Sequence, residues 1–341
     1  MKRKSIALLL ALVMCLALLS ACGGNNTADT SEPPSSENTA QPTQESNPVE
    51  TEPVETEPAE TEQLTGTEPT ETEPAETEPA ESTTPEPAPT EETSGTFTYT
   101  YEGGVVTISG TGILDYTAME ACGAADVIWS TADVQVVLEP GVTKITDNAF
   151  YRCASLTSVT IPEGVTEIGG WAFGYCTNLT SVAIPKGVAK IGAGTFHSCS
   201  NLTSVTIPEG VTEIGENAFR SCSNLTSVTI PESVTVIETC AFYYCTSLTS
   251  VTSPGSVTVI ENAAFQDCRG LTSVTIAEGV TEIGNGTFAY CNLTDVVIPN
   301  GVTKIGESAF RDCYSLTSVT IPNPSAVVAA NAFDRGVTVN Q

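Results

Sequence analysis

Positive charge is scarce in this chain of 341 residues: 12 Lys and Arg stand against 41 Asp and Glu, and there is one His. Lys2, Arg3 and Lys4 make residues 1–22 basic, but residues 23–95 hold 19 acids and no base, and residues 96–341 hold 22 acids and 9 bases. Nucleic-acid binding is driven by Lys and Arg neutralising phosphates, so that function is excluded. An anionic membrane surface would repel the same chain. The lone His197 has no partner set with which to activate the many serines. Carboxylate pairs such as Glu209 and Glu213 recur along a face instead of converging in a pocket. The expectation is a non-enzymatic protein without a cofactor.

Long apolar runs are missing too. The longest, Ile6 to Leu19, has fourteen residues, too few to span about 30 Å of hydrocarbon. Behind Lys2-Arg3-Lys4 it reads as a signal peptide over residues 1–21. It ends in Leu19-Ser20-Ala21-Cys22-Gly23, which resembles the bacterial lipobox. That resemblance implies lipidation of Cys22 and anchoring to the outer face of the cell membrane. No second apolar span and no wall-sorting motif precedes Gln341, so the lipid is expected to be the only anchor.

Residues 22–95 read as the lipidated Cys followed by a spacer, with refrains such as ETEPVETEPAETE from Glu50 and ETEPAETEPAES from Glu71. Such a segment has too little apolar surface to offset the entropy of ordering. Regular Pro and repulsion among Glu favour extended polyproline II at about 3.1 Å per residue. A spacer of this kind lifts whatever follows it through or away from a cell wall, or serves as a plain tether.

From residue 134 the chain repeats. Phe150, Phe173, Phe196, Phe219, Phe242, Phe265, Phe288, Phe310 and Phe333 are 23 residues apart, except for a step of 22 between Phe288 and Phe310. In that step Cys291-Asn292-Leu293 replaces the usual Cys-x-x-Leu. Periods of this size mark a solenoid whose coils bury their apolar faces against one another. Within one coil Val205 and Ile207 alternate with Ser204 and Thr206, predicting a short strand with its hydroxyls outward. Pro208 ends that strand, and Val211 and Ile214 begin the return. The spacing of Ala218, Phe219 and Cys222 predicts one helical turn on the far side.

The pattern Cys-x-x-Leu-Thr-Ser-Val-Thr-Ile-Pro-x-x-Val-x-x-Ile-Gly-x-x-Ala-Phe closely resembles the BspA-like leucine-rich-repeat surface proteins. The resemblance implies an α/β leucine-rich-repeat solenoid over 134–341, built of short parallel strands and helical turns. It also implies a role in attachment to host proteins or other cells. The stretch YTYEGGVVTISGTG from Tyr99, with Trp129, looks like the cap attached to such arrays, giving a β-rich N-terminal cap over 96–133. Val337-Thr338-Val339 reads as a closing strand.

Several residues invite chemistry. Cys153, Cys176, Cys199, Cys222, Cys245, Cys268, Cys291 and Cys313 stack one per coil. They read as buried thiols, with disulfides or a metal as the alternatives, although the local Cys-x₂₋₄-Cys clasp of a zinc site is absent. Cys240 falls at an outward variable position, and His197 at a slot that tolerates any residue, so both are expected on the surface. The stack of Glu163, Glu209, Glu232 and Glu278 reads as a solvated rim. Ser253 puts a hydroxyl into a core slot and needs a partner there.

The strand face offers a uniform ladder of Ser and Thr, without the aromatics and Arg that concentrate binding energy. Variation gathers instead around the Phe: Tyr151, Arg152, Trp171, Tyr175, Arg220, Tyr243, Tyr244, Tyr290, Arg311 and Tyr314. This turn side is the candidate partner surface, for a protein or glycan ligand of a host, a neighbouring cell or the wall. A solute-binding lipoprotein of a transport system is the alternative, but it needs two lobes around a cleft that a strict array does not make. A wall-associated module without a specific ligand is the other.

Overall fold

The computed structural model describes residues 94–341; the signal peptide, Cys22 and nearly all of the spacer lie outside them. Residues 134–341 form the expected parallel-strand solenoid. One ladder of strands runs through Leu156–Thr160, Ser181–Ala183, Ser204–Thr206 and Ser227–Thr229, each pairing with its neighbour in register. Ser204, Val205 and Thr206 are exposed, buried and exposed, the alternation that the period of two demands. The ladder lapses after Thr229, and the strands from Ser250–Thr252 to Thr338–Asn340 form a separate five-stranded sheet. A second ladder of two-residue strands continues across that break, with Ile214 beside Ile237 and Ile237 beside Ile260. Thr338–Asn340 pairs with Ser318–Thr320 as the closing strand.

The third side is not the expected helical turn. Ala218, Phe219 and Cys222 have helical spacing, but Asn217 and Ser221 have φ of 56° and 60°. Left-handed residues at that interval break a right-handed helix. The backbone of this side is satisfied across coils instead: Phe219 N donates to Ala241 O and Ser221 N to Tyr243 O, both at 2.7 Å. These bonds form a third ladder, made of turns.

Inside, the Phe rings stack in one column with centroids 5.0–5.6 Å apart. Each ring removed from water contributes roughly 1.5–3 kcal/mol, and no coil encloses its own ring alone. The N-terminal cap supplies the first cover. Its hairpin pairs β1 (Thr96–Glu102) with β2 (Val105–Leu114), and β2 starts both ladders by pairing with Val134–Leu138 and Val142–Ile145. Two helices complete the cap beside its expected β structure: α1 (Tyr116–Cys122) and α2 (Ala124–Ser130). Their signals were local. Asp115 caps α1 by accepting from Ala118 N at 2.6 Å, and Gly123 at φ 86° turns the chain into α2. Met119 and Ile128 are buried, and the Trp129 ring lies nearly parallel to Phe150 at 6.5 Å.

Candidate partner-binding surface

Several of the variable side chains of the turn side sit on left-handed residues. Trp171 and Tyr175 have φ of 56° and 61°, and Tyr244 and Tyr290 both 61°. Trp171 is bedded on two glycines: a Cβ on Gly194 would fall 2.5 Å from its indole, and one on Gly174 3.0 Å. Trp171 and Tyr175 lie nearly parallel, 6.3 Å apart and 14° from coplanar. Tyr151 meets both edge-on, and the Arg152 guanidinium lies 5.5 Å from the rings of Tyr151 and Tyr175.

His197 belongs to this group and corrects the expectation of a surface residue. It is 8% exposed, with ring centroids 4.8 Å from Trp171 and 5.1 Å from Tyr175. Its slot does tolerate many residues, but Gly174 and Gly194 let large neighbours fold over it. Burial, with a smaller push from Arg220, lowers its pKa to about 4, so the imidazole is neutral at pH 7. Cys240 is the second correction: it is 3% exposed, covered by the same turn geometry.

Further along, Arg220 lies 4.6 Å above the Tyr243 ring, and Tyr243 and Tyr244 are 6.3 Å apart. A third group surrounds Tyr290 and Tyr314. Tyr314 Oη donates to Asp312 Oδ1 at 2.8 Å and Arg311 Nε to Asp312 Oδ2 at 3.1 Å. Asp312, Arg269 and Asn292 line a hollow with the two tyrosines, and none of the three stands out by residue type. The one signal for them was the missing residue between Cys291 and Leu293. The structure thus sorts the candidates into three groups along one side of the array.

The cysteine column has its own explanation. Cys176 Sγ lies 3.1 Å from Phe150 O, Cys199 Sγ 3.2 Å from Phe173 O, and Cys268 Sγ 3.2 Å from Phe242 O. Each thiol is a donor to the preceding coil, and burial raises its pKa well above the ordinary range. The Glu163, Glu209, Glu232 and Glu278 side chains are exposed, as a solvated rim requires. Ser253 finds its partners in the backbone: its hydroxyl accepts from Ala277 N at 3.0 Å and lies 3.4 Å from Thr275 O.

Stacked coils with two parallel ladders, an internal Phe column and Leu-x-x-Leu-x-Leu spacing define a leucine-rich-repeat solenoid. Residues 131–249 and 235–340 match the BspA type leucine rich repeat region, in six copies. The chain belongs to that family. It is similar to the crystal structure of a leucine-rich repeat protein from Bacteroides ovatus, at 25% identity over 74% of this chain and 72% of that one, with a TM-score of 0.51. A leucine rich repeat protein of T. pallidum is 29% identical over 57% of this chain and 86% of its own, at a TM-score of 0.45. A leucine rich cell surface protein from Faecalibacterium prausnitzii is 24% identical over 74% and 96%, at 0.32. No curated protein matches the chain.

Proposed function

We propose that this protein is a non-enzymatic, surface-displayed lipoprotein that binds protein or glycan ligands through the turn side of its solenoid, in adhesion to host or neighbouring cells. The observation that supports this best is the contrast between two faces of one array. The strand face repeats Ser and Thr in register, with Ser227 beside Ser204 and Thr229 beside Thr206. The turn side changes from coil to coil and gathers the Trp, Tyr and Arg that anchor interfaces. Discrimination between ligands needs variation, and the turn side is where this chain varies. Export and surface display rest on the basic Lys2-Arg3-Lys4, the short apolar run and Cys22, with the acidic spacer carrying the array outward. An open array side fits an extended partner better than a small solute, which prefers a closed concave pocket.

Capture of the full chain on immobilised extracellular-matrix proteins, mucin glycoprotein and cell-wall fragments tests the reading. Retention on at least one of them, lost when Tyr175→Ser, Tyr243→Ser, Tyr244→Ser and Tyr314→Ala are combined, is the expected result. Full retention of that combined variant would remove the turn side as the binding surface.

A further inference from the structure

The one place where the array drops a residue is also where its turn side opens. Between Phe288 and Phe310 the coil is a residue short, with Asn292 alone between Cys291 and Leu293. The gap lies between Arg269 of one neighbouring coil and Tyr314 of the other. It forms a hollow of about 400 Å³ lined by these two residues with Tyr290, Cys291, Asn292 and Asp312. That volume is in the lower range of small-ligand sites.

The wall of the hollow has a particular chemistry. Tyr314 is 83% exposed, the most exposed aromatic ring among the described residues, and Tyr290 is half-buried beside it. The positive charges nearby are compensated. Arg269 Nε and Nη2 both donate to Asp267 Oδ1, at 3.1 and 2.9 Å, and Arg311 donates to Asp312. A ligand entering here meets paired guanidiniums, with Asp334 a further negative charge near Tyr314. It meets two phenol rings, a carboxylate held in place by Tyr314 and Arg311, the Asn292 carboxamide, and guanidinium N–H groups already fixed in orientation. Asn292 is itself steadied by Ser315, whose hydroxyl donates to its Oδ1 at 2.7 Å.

We propose that this notch binds a neutral saccharide unit. Resting on the reading of the turn side as the ligand surface, the proposal names a glycan as what is bound at this point. A pyranose ring has an apolar face of C–H groups, which suits the electron-rich face of a tyrosine. Around its rim it carries hydroxyls that both donate and accept, which suits an ordered set of carboxylate, amide and guanidinium groups. A phosphate or sulfate would find both guanidiniums already paired, and an amphipathic peptide would find no apolar groove. One or two sugar rings fill the hollow, and a longer glycan continues over the exposed Tyr314.

The test titrates the full chain with neutral tetrasaccharides of glucose, mannose, galactose and N-acetylglucosamine, by calorimetry and saturation-transfer NMR. Four variants accompany it: Tyr314→Ala, Asp312→Asn, insertion of Ser between Asn292 and Leu293, and the Tyr243→Ser, Tyr244→Ser pair. Binding of at least one tetrasaccharide is expected, weakened at least tenfold by Tyr314→Ala and by Asp312→Asn. The insertion restores the 23-residue step and closes the notch, abolishing binding, while the Tyr243, Tyr244 pair leaves it unchanged. Tyr314 is exposed and Asp312→Asn keeps the side chain's size, so those two variants decide the matter even if the insertion disturbs folding. The proposal fails if no tetrasaccharide binds, or if binding survives both Tyr314→Ala and Asp312→Asn. Binding lost only in the Tyr243, Tyr244 pair also overturns the notch and leaves the wider turn-side reading standing. So does capture of a matrix protein by a chain that takes up no saccharide.

Discussion

Cys222 donates its thiol hydrogen to the carbonyl oxygen of Phe196, 3.2 Å away in the preceding coil. The same carbonyl accepts Cys199 N at 3.2 Å, so thiol and amide share its two lone pairs. The relationship accounts for a column of cysteines without disulfides. From Cys176 onward each sulfur is aimed at a carbonyl of the coil before it, and burial holds the Cys222 proton on by raising the pKa well above the ordinary range. Thiolate is the reactive form, so the eight column thiols should resist iodoacetamide at pH 8 in the folded protein and react once it is denatured. Mass spectrometry of tryptic peptides reads this directly. Rapid labelling of Cys222 in the native state would contradict it. Cys222→Ala should cost about 1 kcal/mol through the lost bond, with Cys222→Ser closer to wild type.

Phe219 is fully buried, with neighbouring rings 5.4 and 5.2 Å away. Phe219→Ala should cost about 3–5 kcal/mol in chemical denaturation, from the lost transfer energy and the cavity left behind. Because every coil leans on the next, the loss should appear as a lower midpoint for the array as a whole. An unchanged midpoint would show that the ring column is not the core.

His197 is the single histidine of the chain, so one imidazole Cε1–H resonance reports on it in untagged protein. Its midpoint should lie near pH 4 instead of the ordinary 6.5. The sign for stability follows from the lowered value. The unfolded chain takes up a proton between pH 6.5 and 4 while the folded chain does not, so this group's contribution is lost as pH falls through that window. A midpoint at 6.5 would mean that Trp171 and Tyr175 do not cover the ring.

Glu238 works in the opposite direction. Burial and its hydrogen bond to Glu213 raise its pKa to about 7, against an ordinary 4.5, while Glu216 N, 2.7 Å from Oε2, and Lys190 pull the other way. Glu213 is held ionised by its hydrogen bonds with Glu238 and with Lys190. In the folded protein Glu238 keeps its proton where the unfolded chain has released it, so stability falls as pH rises from about 4.5 to 7. Glu238→Gln removes that loss. The melting temperature of the variant should gain on wild type across this interval and hold a constant lead above it. Parallel curves for the two proteins would show that the pair does not share a proton. Comparing the variant with wild type cancels the contribution of His197.

How far residues alone could lead is clearest from where each expectation held. The period of 23, the inward Val205 and Ile214 and the closing strand at Thr338–Asn340 were legible because they follow from alternation and from burial, which residue type reports directly. The helical turn at Ala218 to Cys222 was not, because spacing records which residues point inward and not the sign of φ at Asn217 and Ser221. The cap helices were overlooked although Asp115 and Gly123 mark their ends, since the strand-like Val105-Val106-Thr107 dominated that stretch. His197 was misplaced because its burial is made by Trp171 and Tyr175 of the preceding coil, a relationship no single position displays. The turn-side groups were visible as a list of variable aromatics. Their assembly, and the parts of Arg269 and Asp312 in the notch, depend on neighbours one coil away.

Recognition by the turn side and not by the strand face can be decided in a single comparison. Two variants of the full chain are titrated against the same immobilised matrix protein: Tyr243→Lys with Tyr244→Lys on the turn side, and Thr206→Lys with Thr229→Lys on the strand face. Both variants add the same charge, so non-specific attraction is matched, and circular dichroism of each checks that the fold is kept. At least a tenfold loss of affinity is expected for the turn-side pair and none for the strand-face pair. The reverse pattern, with the lysines at Thr206 and Thr229 destroying binding while those at Tyr243 and Tyr244 are tolerated, would contradict turn-side recognition.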